Sequence, residues 1–366
     1  MKIILVAGAR PNFMKVAPIL QALRKSAKPG LSVMLVHSGQ HYDAAMSANF
    51  FADLNLPAPD LNLNVGSGSH ACQTAGIMVA FEKVCIAHRP DWVVVVGDVN
   101  STLACALTAK KLGIRVAHVE AGLRSRDMRM PEEINRLCTD AIADLLFTTD
   151  IEAGRNLQRE GIPADRIHFV GNTMIDTLLE NVDRALARPL PLDLPAGGFA
   201  VLTLHRPATV DDRAVLGGVL SAVYGISARL PVVFPRHPRT AARLREFQLG
   251  DELAAHENIR ITEPLGYLAF LGLLARARLV LTDSGGIQEE TTVLGVPCVT
   301  IRENTERPLT CTMGTNVLAG LRPDDIAAAA KQALDRKPVS GAIPEKWDGH
   351  AAERIAGILV GIEGGA

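Results

Sequence analysis

The stretch RLVLTDSGGIQEETTVLG, Arg278–Gly295, decides the reading of the fold. An apolar run ends at Thr282, then come Ser284, Gly285 and Gly286, and a helical pattern begins near Ile287. Strand, glycine turn and helix in that order form the repeating unit of a parallel sheet covered by helices. Glycines let a backbone approach an anion closely, and the free N–H groups at a helix start point toward it. Glu290 falls one turn into the helix, where a carboxylate can accept hydrogen bonds from a ribose diol. On its own the stretch fits two readings. One is a diphosphate cradle, and the other is a plain strand–helix turn with Ser284 as N-cap.

The same rhythm continues on both sides. Phe199–Leu204, Val232–Pro235, Ile259–Thr262 and Val296–Ile301 read as further strands of the second half. In the first half the strands are Ile3–Ala7, Ser32–His37, Trp92–Gly97, Arg115–Glu120, Leu145–Thr148 and Ile167–Val170. Helical spacing fills segments between them, such as Phe13–Ser26 and Ser101–Leu112. Such alternation over 366 residues exceeds one ordinary core and predicts an α/β protein of two doubly wound parallel domains. Pro and Gly in RPLPLDLPAGG break regular structure, so the domain change falls between about Gly171 and Gly198. Asp348–Ile362 reads as a helix able to pack on either domain.

Composition narrows the function. Apolar residues make up 48% and charged residues 21%, with a formal net charge of −1, a soluble balance without the basic field of a nucleic-acid binder. No apolar run reaches the length of a membrane span. The start MKIILVAGARPNFMK reads as strand, loop and helix rather than a signal peptide. Cys72, Cys85, Cys105, Cys138, Cys298 and Cys311 are scattered without a CxxC pair, which predicts free thiols of a cytosolic protein.

Polar residues gather after the predicted strands: Arg10, Asp98, Glu120, His205, His237 and Asp283. In open parallel sheets ligands bind outside the carboxyl ends of the strands, and two such sheets facing each other would put these groups in one cleft. Arg10 and Lys15 in GARPNFMKVAP are placed to face one phosphate; surface charge is the alternative. No Walker loop occurs, and no GxGxxG lies between a strand and a helix, so NAD and FAD are not expected. Asp98 and Glu120 close two strands, and burying an ionised carboxylate costs several kcal/mol, roughly, unless it is paired. Converging carboxylates shift each other's pKa values and can serve as acid or base. A metal is the rival reading, but the spacing matches no standard ligand pattern. Glu132 and Glu133, at the helix opened by Pro131, fit the helix dipole. His205 in TLHRP and His237 in FPRHP each follow a strand, and Arg307 in RENTERP follows the strand after the glycine turn.

Together these blocks resemble the non-hydrolysing UDP-N-acetylglucosamine 2-epimerases. The family's blocks stand here as GARPNFMKVAP, GQH, GDVNST, HVEAGLRS, MPEEINR, GNTMIDTL, TLHRP, EPLGYLAF, TDSGGIQEE and TERP, in the family's order from residue 8 to residue 308. The resemblance implies two Rossmann-like domains of glycosyltransferase-B type facing across a cleft. It sets the first at residues 1–175, carrying the catalytic carboxylates, and the second at 176–346, binding UDP. A helix within 347–366 then returns to the first. It also implies reversible epimerisation at C2 of UDP-N-acetylglucosamine to UDP-N-acetylmannosamine, by elimination and re-addition of UDP through 2-acetamidoglucal. No cofactor or metal is implied, and a cytoplasmic homodimer is.

By matching positions, Asp98, Glu120, Glu132 and His205 become the catalytic candidates. Arg10, Lys15, Arg136 and His237 are placed around diphosphate and sugar. Ser284, Gly285, Gly286, Glu290 and Arg307 hold phosphate and ribose, and uracil sits by Phe270. Leu265 stands where the family commonly has Gln. Many bacterial members are activated by substrate at a second site. Here GQHYDAAMS and SGSHACQ lack or displace the expected glutamines, and the loop between Glu120 and Glu132 is shorter, so such activation is not expected. HRPATVDD also departs from the frequent HRREN form. A hydrolysing epimerase, an epimerase of a modified sugar such as a diacetamido uronic acid, a glycosyltransferase and a non-catalytic nucleotide-sugar binder are the alternatives.

Overall fold

The computed structural model describes residues 1–8, 10–26, 28–39, 53–54, 56–190, 192, 194, 198–335 and 343–361; the side chains of Arg10 and Pro11 lie outside this set. The chain divides into two compact units. One comprises Met1–Glu180 together with the C-terminal residues from Glu345, and the other Asn181–Pro344.

Seven strands build the first unit: β1 Lys2–Ala7, β2 Ser32–His37, β3 Leu61–Asn62, β4 Trp92–Val96, β5 Arg115–Ala121, β6 Leu145–Thr148 and β7 Ile167–Phe169. Their order is β3-β2-β1-β4-β5-β6-β7, with every pairing parallel. The order reverses between β1 and β4, and that switch point is where an open α/β sheet leaves a crevice at its carboxyl edge. All five residues of β4, WVVVV, are buried, as expected of a strand with helices on both faces.

Six strands build the second unit: β8 Ala200–Thr203, β9 Val232–Pro235, β10 Ile259–Thr262, β11 Leu279–Thr282, β12 Cys298–Thr300 and β13 Asn316–Leu318. They lie in the order β10-β9-β8-β11-β12-β13, again all parallel, with the switch point between β8 and β11. Side chains alternate across the sheet as the pleat demands. Leu202, Phe234, Leu281 and Val299 pack into one apolar layer, while Val201, Val233, Val280 and Cys298 pack into the other. Each fully buried aliphatic side chain of this kind contributes about 1.5–3 kcal/mol.

Three departures from the sequence reading have local causes. The strand expected at Val296–Ile301 shortens to Cys298–Thr300, because Pro297 has no N–H to give the ladder. Strands β3 and β13, two and three residues long, are too brief to give an alternating pattern. The first helix runs Arg10–Lys25 rather than Phe13–Ser26 and carries Pro18 in its interior. Proline removes the N–H that would bond the carbonyl four residues back. That carbonyl, of Met14, accepts instead from the Thr177 hydroxyl at 2.5 Å.

The C-terminal segment completes the first unit. Asp176, buried in the helix Thr173–Leu186, accepts the N–H groups of Ala351 and Ala352 at 3.2 and 2.7 Å and so caps the last helix, Ala351–Gly361. Trp347 Nε1 donates to the Thr149 carbonyl at 3.0 Å. Among the described residues no helix is long and apolar enough to cross a membrane.

Candidate active site

In the first unit the candidates gather at the carboxyl ends of β1, β4 and β5. Gly97 follows β4 at φ +67°, and a Cβ there would stand 3.0 Å from Lys15 Nζ. Glycine at 97 therefore lets the lysine of the first helix lie against the strand end. Lys15 forms a buried ion pair with Glu120. Glu120 itself stands at φ +72°, where a non-glycine residue is strained by of order 1–3 kcal/mol. Pairing of β5 with β6 shifts register between Val119 and Ala121, so Glu120 is the extra residue of a bulge. Bulges re-aim side chains, and this one turns a strand residue out of its alternation.

Asp98 follows Gly97, 23% exposed at its side chain, with Arg136 Nη1 donating to Oδ2 at 2.5 Å. Arg136 is 1% exposed and is also held by Glu133, to which Nε donates at 3.0 Å and Nη2 at 2.6 Å. Glu133 in turn accepts the N–H groups of Ser125 and Arg126 at 3.0 and 2.8 Å. Burial works against its charge, but these N–H groups and Arg136 together hold its carboxyl below the usual range. Adjacent glutamates therefore differ: Glu133 fixes the loop after β5, while Glu132 is half-buried in the same helix turn. Asn135 Nδ2 donates to the Asp98 carbonyl at 2.9 Å. The backbone of Arg10 opens the first helix, but its side chain lies outside the described residues, as do His41 and most of the GQHYDAAMS segment. Gln73 of SGSHACQ is buried, bonded to Gly66 O at 3.2 Å and to the Asn100 amide at 2.7 Å.

In the second unit the switch point carries a second cluster. Thr203 and Thr282, paired across β8 and β11, share a 2.7 Å hydrogen bond. Just beyond, Asp283 is wholly buried and accepts the N–H groups of His205 and Arg206, each at 2.9 Å. His205 Nδ1 lies 2.9 Å from its Oδ1. Burial opposes the charge on Asp283, yet His205 and the two backbone donors outweigh it and hold the carboxyl below its ordinary range. The His205 ring, 40% exposed, lies 5.6 Å from that of His237. His237 Nδ1 accepts Arg239 N–H at 3.2 Å and so caps the helix Pro238–Glu246.

The helix after β11 runs Gly285–Leu294. Ser284 occupies the N-cap position, but its hydroxyl makes no capping bond, so it is not spent on the helix. A Cβ on Gly285 would meet Arg307 Nη1 at 2.5 Å and Glu306 Oε1 at 2.8 Å. Gly286 follows in the first turn, partly exposed. Arg307 is bound by Glu306 and, at 2.9 Å, by Glu289. Glu306 also accepts from Arg302 at 2.8 Å and Arg206 at 3.4 Å. Its burial is costly, but Arg307, Arg206 and Arg302 hold its carboxyl well below the usual range. Glu290 is buried beside Glu289, and burial followed by that neighbour pushes it up to about 8. Leu265 and Phe270 are half-buried against the apolar layer that contains Ile287. Among the described residues no group of three His, Cys, Asp or Glu converges as a metal cage.

The geometry thus unites Lys15 with Glu120 and Asp98 with Arg136 in one unit, and His205 with His237 and Gly285 with Arg307 in the other. Sequence reasoning did not single out the buried residues His118, Asp140 and Arg302, and it took Glu133 only for a helix-start charge. Their only signal was a polar group in an apolar strand for His118, in a helix for Asp140 and in a loop for Arg302.

Two parallel sheets, each with charged side chains at the switch point, define a two-unit Rossmann-like enzyme of the glycosyltransferase-B type. Residues 22–360 match the profile of the family described as UDP-N-acetylglucosamine 2-epimerase, and the chain belongs to that family. The UDP-N-acetylglucosamine 2-epimerase of Methanocaldococcus jannaschii is 43% identical, with 98% of this chain and 99% of that one covered. The crystal structure of that enzyme with UDP-N-acetylglucosamine and UDP has a TM-score of 0.90 at 42% identity, over 98% of this chain and 99% of that one. A UDP-2,3-diacetamido-2,3-dideoxy-D-glucuronate 2-epimerase of Pseudomonas aeruginosa is 41% identical, again over 98% and 99%.

Proposed function

We propose that the chain interconverts UDP-N-acetylglucosamine and UDP-N-acetylmannosamine by eliminating and re-adding UDP. The observation that carries this reading is a pair of strand-end carboxylates, each with its own cation: Asp98 with Arg136 and Glu120 with Lys15. The C2 hydrogen of the sugar is not beside a carbonyl and is barely acidic. Lengthening of the C1–O bond to UDP places positive character on C1, which acidifies C2. A carboxylate then takes the C2 proton, the C2–H electrons become the C1=C2 double bond, and the C1–O electrons leave with UDP. Reversal with protonation on the other face yields the epimer. No electrons are exchanged with a cofactor.

In this reading Asp98, Glu120 and Glu132 serve the sugar from the first unit. His205 and His237 act at the departing diphosphate with Ser284, Gly285, Gly286 and Arg307 of the second. Glu290 takes the ribose, and the uracil lies by Leu265 and Phe270. Stabilising the leaving diphosphate supplies much of the rate. The reaction runs in the cytoplasm. We further read the chain as a homodimer, supported by an apolar stripe on the helix His70–His88, where Val79 and Ile86 are 59% and 60% exposed. Sedimentation of the chain as a monomer at micromolar concentration would end that part of the reading.

The decisive test is incubation with UDP-N-acetylglucosamine in D2O, followed by NMR. UDP-N-acetylmannosamine deuterated at C2 is the expected product. Free N-acetylmannosamine with stoichiometric UDP would replace it with a hydrolysing reaction. The Pseudomonas relative supports a second reading, epimerisation of a diacetamido uronic acid on UDP. Turnover of that sugar, with none of UDP-N-acetylglucosamine, would establish it.

A further inference from the structure

We infer that His118 and Asp140 form a buried imidazolium–carboxylate pair that positions Asp98 and Glu120 together. The inference rests on the functional reading above for the roles of those two carboxylates. His118 lies in β5, two residues before Glu120, with no exposure. Its Nδ1 is 2.6 Å from Asp140 Oδ1, and its Nε2 is 2.8 Å from the Gly97 carbonyl. Both ring nitrogens therefore face acceptors. A carbonyl oxygen can only accept, so Nε2 carries a proton. Asp140 Oδ2 already accepts Gly122 N–H at 3.1 Å and lies 2.7 Å from Arg124 Nη1, so its carboxyl is the ionised acceptor of a cluster of donors. Nδ1 at 2.6 Å from such an oxygen carries a proton too, and the ring is cationic.

The consequence lies in what the pair holds. Gly97 is gripped at both ends of its residue by β5: its N–H donates to the Val119 carbonyl at 3.0 Å, and its carbonyl accepts from His118. The planar peptide after Gly97 carries the N–H of Asp98, so fixing that carbonyl fixes the plane from which Asp98 projects. Asp140 meanwhile secures Gly122, two residues past the Glu120 bulge. One buried pair thus ties the turn that bears Asp98 to the bulge that bears Glu120. Neither His118 nor Asp140 is needed to touch substrate, and both are positioning residues. Misplacement of a reacting group by about 1 Å can cost 10²-fold in rate.

Two measurements test this. The first is NMR of the full chain labelled with 15N-histidine, with the His118 ring assigned by its loss in His118→Gln. Two ring N–H protons and imidazolium nitrogen shifts are expected for His118 at pH 7.5. A single N–H with a neutral-tautomer pattern overturns the inference whatever the enzyme turns out to act on. The second is Asp140→Asn, assayed for C2 exchange and for UDP binding. A fall in kcat of about 10²-fold, with KM and UDP affinity within about threefold of wild type, is the expected split. Unchanged kcat in a folded variant, or equal losses in kcat and UDP affinity, overturns positioning. Should Asp140→Asn not fold, His118→Gln is read the same way, since its amide keeps a donor for Gly97 but no charge for Asp140. Absence of UDP-sugar turnover in the wild type would remove the functional reading, and the ring-proton count would still decide the charge of the pair.

Discussion

Asp283, at the end of β11, binds His205, at the end of β8, through both its backbone N–H and its ring Nδ1, each at 2.9 Å. The pair spans the switch point of the second sheet, so one carboxylate sets both the turn after β8 and the orientation of the imidazole. With Nδ1 committed to Asp283, Nε2 is the nitrogen left to face a ligand. Asp283→Asn is expected to destabilise the chain by about 2–4 kcal/mol, since a buried donor set loses its charged acceptor. Denaturant unfolding measures this. A loss below about 1 kcal/mol would mean that the turn holds itself without the carboxylate.

Glu120, proposed to serve the chemistry, stands on a strained backbone at φ +72°. Replacing it by Ala and by Gly separates the two. Both variants are expected to lose turnover, but Gly adopts positive φ freely, so Glu120→Gly should be more stable than Glu120→Ala by about 1 kcal/mol. The usual order, Ala above Gly, in thermal unfolding would show that the bulge relaxes once the side chain is gone.

Asp98→Asn keeps the shape of the side chain and its place beside Arg136 while removing the carboxylate charge. Turnover is expected to fall by at least about 10³-fold with UDP affinity nearly intact. Calorimetric titration with UDP checks the second half. A comparable loss of affinity would make Asp98 a binding group.

Gly285→Ala introduces a methyl where Arg307 and Glu306 already stand. Arg307 is pinned by two carboxylates and yields poorly, so the turn itself must shift. UDP binding is expected to weaken by about tenfold or more with little change in the unfolding midpoint, as measured by titration and calorimetry. Unaltered UDP affinity would remove the glycine turn from the binding site.

Glu290 makes a prediction about pH. Its carboxyl is raised from 4.5 to about 8 by burial and by Glu289. Between those values the folded chain keeps a proton that the unfolded chain has released. The group's contribution to stability is therefore fully present below about pH 4.5 and lost as pH rises toward 8. Glu290→Gln cannot ionise, so it should match the wild type near pH 4.5 and exceed it by a few kcal/mol, roughly 2–5, at pH 8 and above. Thermal midpoints of the two proteins from pH 4.5 to 9 give the comparison. Parallel curves would show that Glu290 ionises as an ordinary carboxyl.

Much of the fold is written in local pattern. WVVVV before Gly97 and LVLT before Asp283 announce buried parallel strands, and the polar residue after each marks a carboxyl end. What local pattern does not carry is the division of labour between similar residues. Glu132 and Glu133 are equivalent as helix-start carboxylates, and only the fold of the 125–126 loop over Glu133 distinguishes them. His118 and Glu120 sit two apart in a strand and would share a face; the bulge sends them to different tasks. Asp140 joins His118 across 22 residues of sequence, a partnership that exists only once β5 and the helix Pro131–Ile142 are packed.

The return of the C-terminal segment to the first unit has a consequence in time. The carboxylate of Asp176 waits in that unit for the N–H groups of Ala351 and Ala352, and the Thr149 carbonyl waits for Trp347. During synthesis the whole of Asn181–Pro344 emerges in between. The unit begun first is therefore the last to be finished, and on the ribosome the second unit has all its strands before the first has its closing helix.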